Sequence, residues 1–471
     1  MAKITPLHYY DDIPLFHKFA MTLLFIYDDR LDPRKLRESL ESLVQQNGWQ
    51  KLGARLRRSQ SGGLEYHTPS GFDEQCPAIM FRLVQHSCNV SDHPNASKLP
   101  VSSDCPSVSA DTISFRSLAF HPETPRLLQD YLDADIPQLG LFVNLFDDAT
   151  LVSLSFPHTL CDMVGAGVLL KGWQAMLDNR PEDLPELWGH NFDPLEQFGS
   201  RPQEVYKLQN YQASTFELIT QFGLRNASGL LLGTDTRSVC VPAAFIARMR
   251  NRILGELIAR DPSNIKPFVS DGDVLCEWWS RVVSSQVVRN KKSTLVINNA
   301  ISLRSALSQD LLPAGKSYLS NAMGVVTTIV PMGDVLGRPL GLVATRIRQS
   351  LKELGKREQL EAYASLIRKS SRKLNPAFGK GNFHVISFSN FTKADLFGTD
   401  FSSAIISESS AAKGTVKVGR PRCIEFWEGY KFPNSFFILG KGSKGEYWIS
   451  GNLRRNVWDK IEESLKTQSG F

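Results

Sequence analysis

The spacing of apolar positions divides the chain into short elements of alternating kind. Asp32-Pro33 followed by Leu36, Leu40, Leu43 and Val44 combines an N-cap, a first-turn proline and helical apolar spacing, which predicts an amphipathic helix ending near Gly48. Leu139–Phe146 and Leu151–Phe156 are apolar runs separated by Asp147-Asp148-Ala149-Thr150, the pattern of a β-hairpin whose second strand leads straight into Pro157-His158. After that histidine, Gly165, Gly167, Val168, Leu169, Leu170, Trp173 and Met176 predict a helix that stops by Asp178-Asn179-Arg180-Pro181. The Ser-, Asn-, Asp- and Pro-rich stretch from His86 to Pro106 has little periodicity and reads as a long surface loop.

Residues 181–215 lose periodicity and are rich in proline, the composition of a crossover linker. Beyond it, helices are predicted over Pro242–Ala259, Asp271–Val288, Leu342–Leu354 and Gln359–Leu374, and strands over Thr294–Ala300, Met323–Val330, Phe383–Phe388, Ser435–Leu439 and Glu446–Ser450, with a closing helix from Leu453. This mixed order predicts an α/β chain with an N-terminal domain over residues 1–180 and a C-terminal domain over 216–471. At 471 residues and 42% hydrophobic content there is apolar material for more than one core.

Charge narrows the partners. With 54 basic and 48 acidic residues the formal charge is +6, too weak a field to predict nucleic acid as a partner but compatible with a small phosphorylated molecule. The longest near-apolar run, Phe19 to Tyr27, falls far short of the roughly 20 residues that span a bilayer, so no membrane partner is expected. Asp11 and Asp12 occupy the place of a secretory signal's apolar stretch, and the seven cysteines are scattered without a C-x-x-C pair. Both observations predict a reducing, cytoplasmic location without structural zinc.

Several textual motifs fail on context. Gly440-Lys-Gly442-Ser-Lys-Gly445 fits G-x-G-x-x-G, but the next residues, Glu446-Tyr-Trp-Ile-Ser, read as a strand, so a hairpin turn is predicted rather than a dinucleotide site. Gly315-Lys316-Ser317 resembles the end of a phosphate loop, yet Asp310 stands where its first glycine belongs. A histidine followed four residues later by aspartate occurs twice. His8–Asp12 lies in a polar segment with no preceding strand, whereas His158–Asp162 lies at a strand end where a helix with small residues begins, a place that holds a side chain rigidly yet exposed. Cys161 is a rival nucleophile, outweighed by the tendency of cysteine to serve as a small buried residue.

Five segments taken in order resemble the BAHD-type acyltransferases, particularly their divergent fungal branch with trichothecene acetyltransferase-like members. Pro6-Leu-His-Tyr-Tyr-Asp11 is similar to the family's opening, and His158-Thr-Leu-Cys-Asp162 matches its H-x-x-x-D signature. Val269–Trp278 resembles its S-T-x-D-x-L-x-A-x-x-W helix start, Asn298–Arg304 its strand ending in arginine, and Pro313–Ala322 its P-x-Y-F-G-N-A segment. The second signature, D-F-G-W-G-K-P, is represented by Asp400-Phe401 followed by Ser402-Ser403, with Gly419-Arg420-Pro421 as a displaced remainder beyond an insertion.

The resemblance implies two chloramphenicol-acetyltransferase-like domains, each a mixed β-sheet flanked by helices, with a channel at their interface. It implies acetyl-CoA or another acyl-CoA as co-substrate, no metal, and a small-molecule acceptor such as a terpenoid, polyketide or alkaloid hydroxyl, handled by a monomer. His158 is then the general base, near its ordinary pKa of about 6.5 and so mostly neutral at cytoplasmic pH. Asp162 and His158 form the catalytic motif, with Asp162 turned toward Arg304; Arg304 and Asp400 are orienting residues. Asn321, Ser389 and Gly165 are expected along the channel, and Lys291, Lys292 and Lys316 are the basic residues available to CoA phosphates. Two alternatives stay open: a CoA-independent cyclase, isomerase or hydrolase using His158, and a non-catalytic ligand-binding relative.

Overall fold

The structure, a computed structural model, describes the chain apart from residues 1, 61, 110, 215–216, 218–232, 264–265, 289, 371, 408–417 and 468–471. The strands of its two large sheets are β1 (Ala20–Tyr27), β2 (Met80–Gln85), β3 (Ser107–Val108), β4 (Gly140–Leu145), β5 (Thr150–Pro157), β6 (Thr234–Val241), β7 (Thr294–Ser302), β8 (Met323–Pro331), β9 (Phe383–Asn390), β10 (Cys423–Glu428), β11 (Ser435–Lys441) and β12 (Tyr447–Arg454). The main helices are α1 (Pro33–Gln45), α2 (Met163–Leu177), α3 (Ala243–Arg260), α4 (Asp271–Val287), α5 (Leu340–Leu354), α6 (Arg357–Lys369) and α7 (Arg455–Thr467).

A five-stranded sheet has the order β10-β1-β5-β4-β2, and a seven-stranded sheet the order β8-β7-β9-β11-β12-β6-β3. Both are mixed: β2/β4, β7/β9 and β9/β11 pair parallel, the other neighbours antiparallel. The expected α/β architecture is therefore present, and each sheet has its own core. Leu36, Leu40, Leu43 and Val44 of α1 pack with Leu169, Leu170 and Trp173 of α2 over the first sheet. Residues of α3, α4, α5 and α7 cover the second.

Local signals explain the element boundaries. Asp32 caps α1 by accepting hydrogen bonds from the Arg34 and Lys35 amides, a cap that contributes about 1 kcal/mol. The predicted hairpin forms between β4 and β5, closed where the Phe146 amide donates to the Ala149 carbonyl. The glycine-rich segment after β11 is likewise a hairpin turn, with positive φ at Gly440 (145°) and Gly445 (79°) and the Gly442 amide donating to Glu446. The closing helix starts at Arg455 rather than Leu453, because Leu453 and Arg454 are still paired with Asp235 and Thr234. The helix predicted over Gln359–Leu374 ends at Lys369; residue 371 of that stretch lies outside the described residues.

Three features go beyond the sequence reading. The predicted surface loop after His86 is anchored by Ala96 and Leu99, both buried in the first core. The sequence pattern predicts no strand at β1, β2, β3, β6 or β10, and β10 and β3 each cross between the halves. Cys423–Glu428 pairs with Met21–Ile26 as an edge of the first sheet, while Ser107-Val108 pairs with Val239-Cys240 at an edge of the second. The described residues of the 181–215 segment, 181–214, include no long helix or strand but are pinned by buried Leu195, Phe198 and Tyr206.

Candidate active site

His158 follows Pro157, the last residue of β5, and its amide donates to the Phe19 carbonyl at 3.0 Å, which carries the β1/β5 ladder one step past the strand. Its ring lies flat on Phe16, with centroids 4.1 Å apart and planes 8° apart, and 6.0 Å from Phe19. Such stacking contributes about 0.5–1.5 kcal/mol and fixes the plane of the imidazole. Nδ1 is buried and makes no hydrogen bond to another of the described residues. Burial pushes the imidazole below its ordinary value, opposed only in part by hydrogen bonding to its own backbone, by Asp162, by Asn321 and by Asp11. The ring is thus held neutral more firmly than an unperturbed histidine.

The backbone around His158 is clamped from behind. Asn321 Nδ2 donates to the His158 carbonyl at 2.9 Å, and the Asn321 amide and side chain both donate to Asp11 Oδ1 at 2.9 and 2.8 Å. Asp11 is completely buried, and its other oxygen accepts from Lys51 Nζ at 2.8 Å. Lys51 also donates to the Leu160 carbonyl and to Ser320 Oγ, and lies 4.9 Å from the Tyr66 ring centroid. The Tyr66 hydroxyl in turn donates to the Thr159 carbonyl at 2.6 Å. A buried carboxylate is tolerable only with such partners, because stripping it of water costs several kcal/mol.

Asp162 points away from the His158 ring. As N-cap of α2 it accepts the Gly165 amide on Oδ1 at 2.9 Å, while Oδ2 accepts Arg304 Nη1 at 2.9 Å and the Ala322 amide at 2.8 Å. Arg304 uses its remaining donors on the carbonyls of Tyr318 and Ser320 and on Ser302 Oγ. The Asp162–Arg304 contact is the ion pair implied by the resemblance. Gly165 is buried where α2 crosses the 318–322 segment; a Cβ there would collide with the Leu319 carbonyl oxygen. Cys161 is fully buried, and burial pushes its thiol up, so the sulfur stays protonated.

Other sequence candidates lie elsewhere. Ser389 is half-buried on β9, in register with Phe437. Asp400 accepts from Arg420 Nε at 3.4 Å and from the Ser402 amide, far along the chain from the histidine. Phe401 packs on Trp173 and Tyr27, and its amide donates to the Gly419 carbonyl at 2.8 Å. The split second signature is therefore reunited in space, although residues 408–417 of the insertion lie outside the described residues. Lys316 pairs with Glu186, while Lys291 and Lys292 are exposed. His8 does not engage the Asp12 carboxylate: its Nδ1 meets the Tyr318 hydroxyl, and Asp12 pairs with His17 and Lys373. The sequence pattern does not single out Lys51, Ser320 or Tyr66, and a lone lysine before a Leu-Gly pair carries no local signal that it will pair with a buried carboxylate.

No family model matches the chain. Among curated proteins it is 37% identical over 477 residues to "Transcriptional regulator calD" of Penicillium decumbens, covering 99% of this chain and 95% of that protein. It is 35% identical over 492 residues to "Acetyltransferase sphE" of Aspergillus fumigatus, again with 99% and 95% coverage. Among solved structures, F. graminearum TRI101 complexed with coenzyme A and deoxynivalenol superposes with a TM-score of 0.71 at 13% identity, covering 99% of both chains. The chain belongs to the BAHD-type acyl-CoA-dependent acyltransferases, in their divergent fungal branch.

Proposed function

We propose that the protein moves an acyl group, acetyl in the simplest case, from acyl-CoA to a hydroxyl of an oxygenated secondary metabolite, with His158 as general base and no covalent acyl-enzyme. The observation that carries this reading is the treatment of His158: its backbone is clamped by Phe19 and Asn321, burial keeps the ring neutral, and Asp162 is turned to Arg304. The coenzyme A and deoxynivalenol held by the TRI101 relative support the two substrate classes.

In this mechanism the neutral imidazole takes the acceptor's hydroxyl proton as the oxygen attacks the thioester carbonyl. The tetrahedral oxyanion collapses with cleavage of the carbon–sulfur bond, and the imidazolium returns the proton to the departing thiolate, giving ester and free CoA. Cys161, protonated and sealed in the core, takes no part. Asp162 and Arg304 hold the loop, Asn321 works from behind the histidine, and Asp400 secures a distant turn. Gly165 permits the close crossing of α2, and Ser389 is assigned to the channel side of β9. We further assign residues 1–180 and 216–471 to the two domains, with 181–215 joining them, in a monomeric cytoplasmic enzyme.

The test is incubation of purified protein with acetyl-CoA and hydroxylated terpenoids and polyketides, deoxynivalenol among them, reading free-thiol release and product mass. Thiol release matched by an acetylated product is expected. Ligand binding without release overturns the reading in favour of the regulatory role that the name of the calD relative suggests. Product formation without CoA binding overturns it in favour of CoA-independent chemistry.

A further inference from the structure

Residues 158–162 belong to neither helix nor strand, since β5 ends at Pro157 and α2 begins at Met163. Their first three carbonyls are each taken by a side chain from a different part of the chain: His158 by Asn321 Nδ2 at 2.9 Å, Thr159 by the Tyr66 hydroxyl at 2.6 Å, and Leu160 by Lys51 Nζ at 3.2 Å. Lys51 connects the three donors. The three hydrogens of its ammonium go to Leu160, to Asp11 Oδ2 at 2.8 Å and to Ser320 Oγ at 2.6 Å, beside Asn321, while the Tyr66 ring centroid lies 4.9 Å away. Asp11 in turn orients Asn321. Asn321 Nδ2 stands between Asp11 Oδ1 and the His158 carbonyl, two acceptors, so a flipped amide would set oxygen against oxygen twice. Asn321 Oδ1 is buried without a partner among the described residues, a cost that the bonds at the other end of the amide offset.

The Asp11 and Lys51 side chains are 0% and 18% exposed. A buried ion pair is seldom more stabilising than apolar side chains of the same volume, so a gain in stability is a weak account of this one. Lys51 stands on a firm base, in the turn Gln50–Gly53, where its carbonyl accepts from Gln138 Nε2 at 2.8 Å and from the Ala54 amide at 3.2 Å. Asp162 and Arg304 hold the far end of the same loop. The two cations share Ser320, Arg304 donating to its carbonyl and Lys51 to its hydroxyl.

We propose that Lys51, paired with Asp11, is a positioning residue of the reaction: it fixes the main chain from His158 to Leu160, and with it the aim of the imidazole, as a second clamp beside Asp162–Arg304. The inference rests on the acyl-transfer reading for what the imidazole does, and one arm of its test needs no turnover.

Kinetic constants for thiol release from acetyl-CoA with deoxynivalenol are read beside thermal unfolding of the full chain. Lys51→Met should lower kcat about 10²-fold with both KM values within about threefold of wild type, because the displaced group is the base and not a binding contact. Its melting temperature should also fall, since Asp11 is left buried without a cation. Asp11→Asn combined with Lys51→Met leaves neither charge alone, and should restore the melting temperature but not kcat. Tyr66→Phe removes a single oxygen and keeps the packing, so it folds even if Lys51→Met does not; it should lower kcat about tenfold. Recovery of kcat in step with the melting temperature in the double variant, or a full rate in Tyr66→Phe, overturns the proposal. Carbon-13 NMR of labelled histidine reads the ring without substrate. The His158 signal, identified by its loss in His158→Ala, should be single in wild type and broadened or doubled in the double variant. An unaltered signal overturns the proposal; an altered signal in a protein whose wild type releases no thiol leaves the clamp standing and removes only the acyl-transfer reading.

Discussion

At the scale of single residues, the proposed mechanism makes the protonation state of His158 the controlling quantity. Its folded value lies below 6.5, and a base works when deprotonated, so kcat/KM should rise with pH along a limb centred below 6.5 and be flat through neutrality. A limb centred near or above 7 would contradict the buried, neutral imidazole. His158→Ala should lower kcat by about 10²–10⁴ with the melting temperature little changed, and Cys161→Ala should keep turnover, both read by thiol release. Asp162→Asn should act mainly on stability. It strips Arg304 of its charge partner in a site where the two side chains are 7% and 15% exposed, so a loss of about 3 kcal/mol in urea denaturation is expected. Asp162→Asn combined with Arg304→Met should lose less than the sum of the single changes, because neither charge is then left alone.

At the scale of elements, the site depends on how closely α2 crosses the 318–322 segment. Two contacts fix that crossing: Asp162 accepts the Ala322 amide, and Gly165 faces the Leu319 carbonyl with no room for a Cβ. The obstacle is backbone, which cannot swing aside as a side chain can. Gly165→Ala is therefore expected to cost about 1–3 kcal/mol and to lower kcat by moving His158 relative to Asn321, measured by thermal unfolding and by steady-state kinetics. Unchanged stability and rate would show that the crossing has slack. The same reasoning explains why the H-x-x-x-D spacing was legible as text while its purpose was not. Four residues place Asp162 at the cap of α2, but its partner Arg304 comes from the end of β7, more than a hundred residues later.

At the scale of the whole molecule, the two halves exchange strands. β10 completes the first sheet from the C-terminal half, and its Glu425 is buried with a hydrogen bond from Ser238 Oγ of β6 in the second sheet. Residues 1–215 and 216–471 produced as separate chains should each be insoluble or lack cooperative unfolding, while co-expression should restore a folded complex. Independent cooperative melting of either half would show that the exchange is dispensable.

Much was legible without coordinates because it is encoded locally. The cap of α1, the β4–β5 hairpin, the small residues of α2 and the glycine turn before β12 each follow from neighbours a few positions apart, and they determined the α/β class and pointed to His158. Other features arise only from long-range contact. Cys423–Glu428 carries two acids, a pattern that predicts no strand; Glu425 is buried only because Ser238 donates to it, and the half-buried Glu428 meets Asn452, while Asp11 is buried only because Lys51 and the 318–322 segment supply its donors. Patterning reports which residues prefer to leave water, whereas the charge, protonation and reach of a buried group depend on what the rest of the chain brings against it.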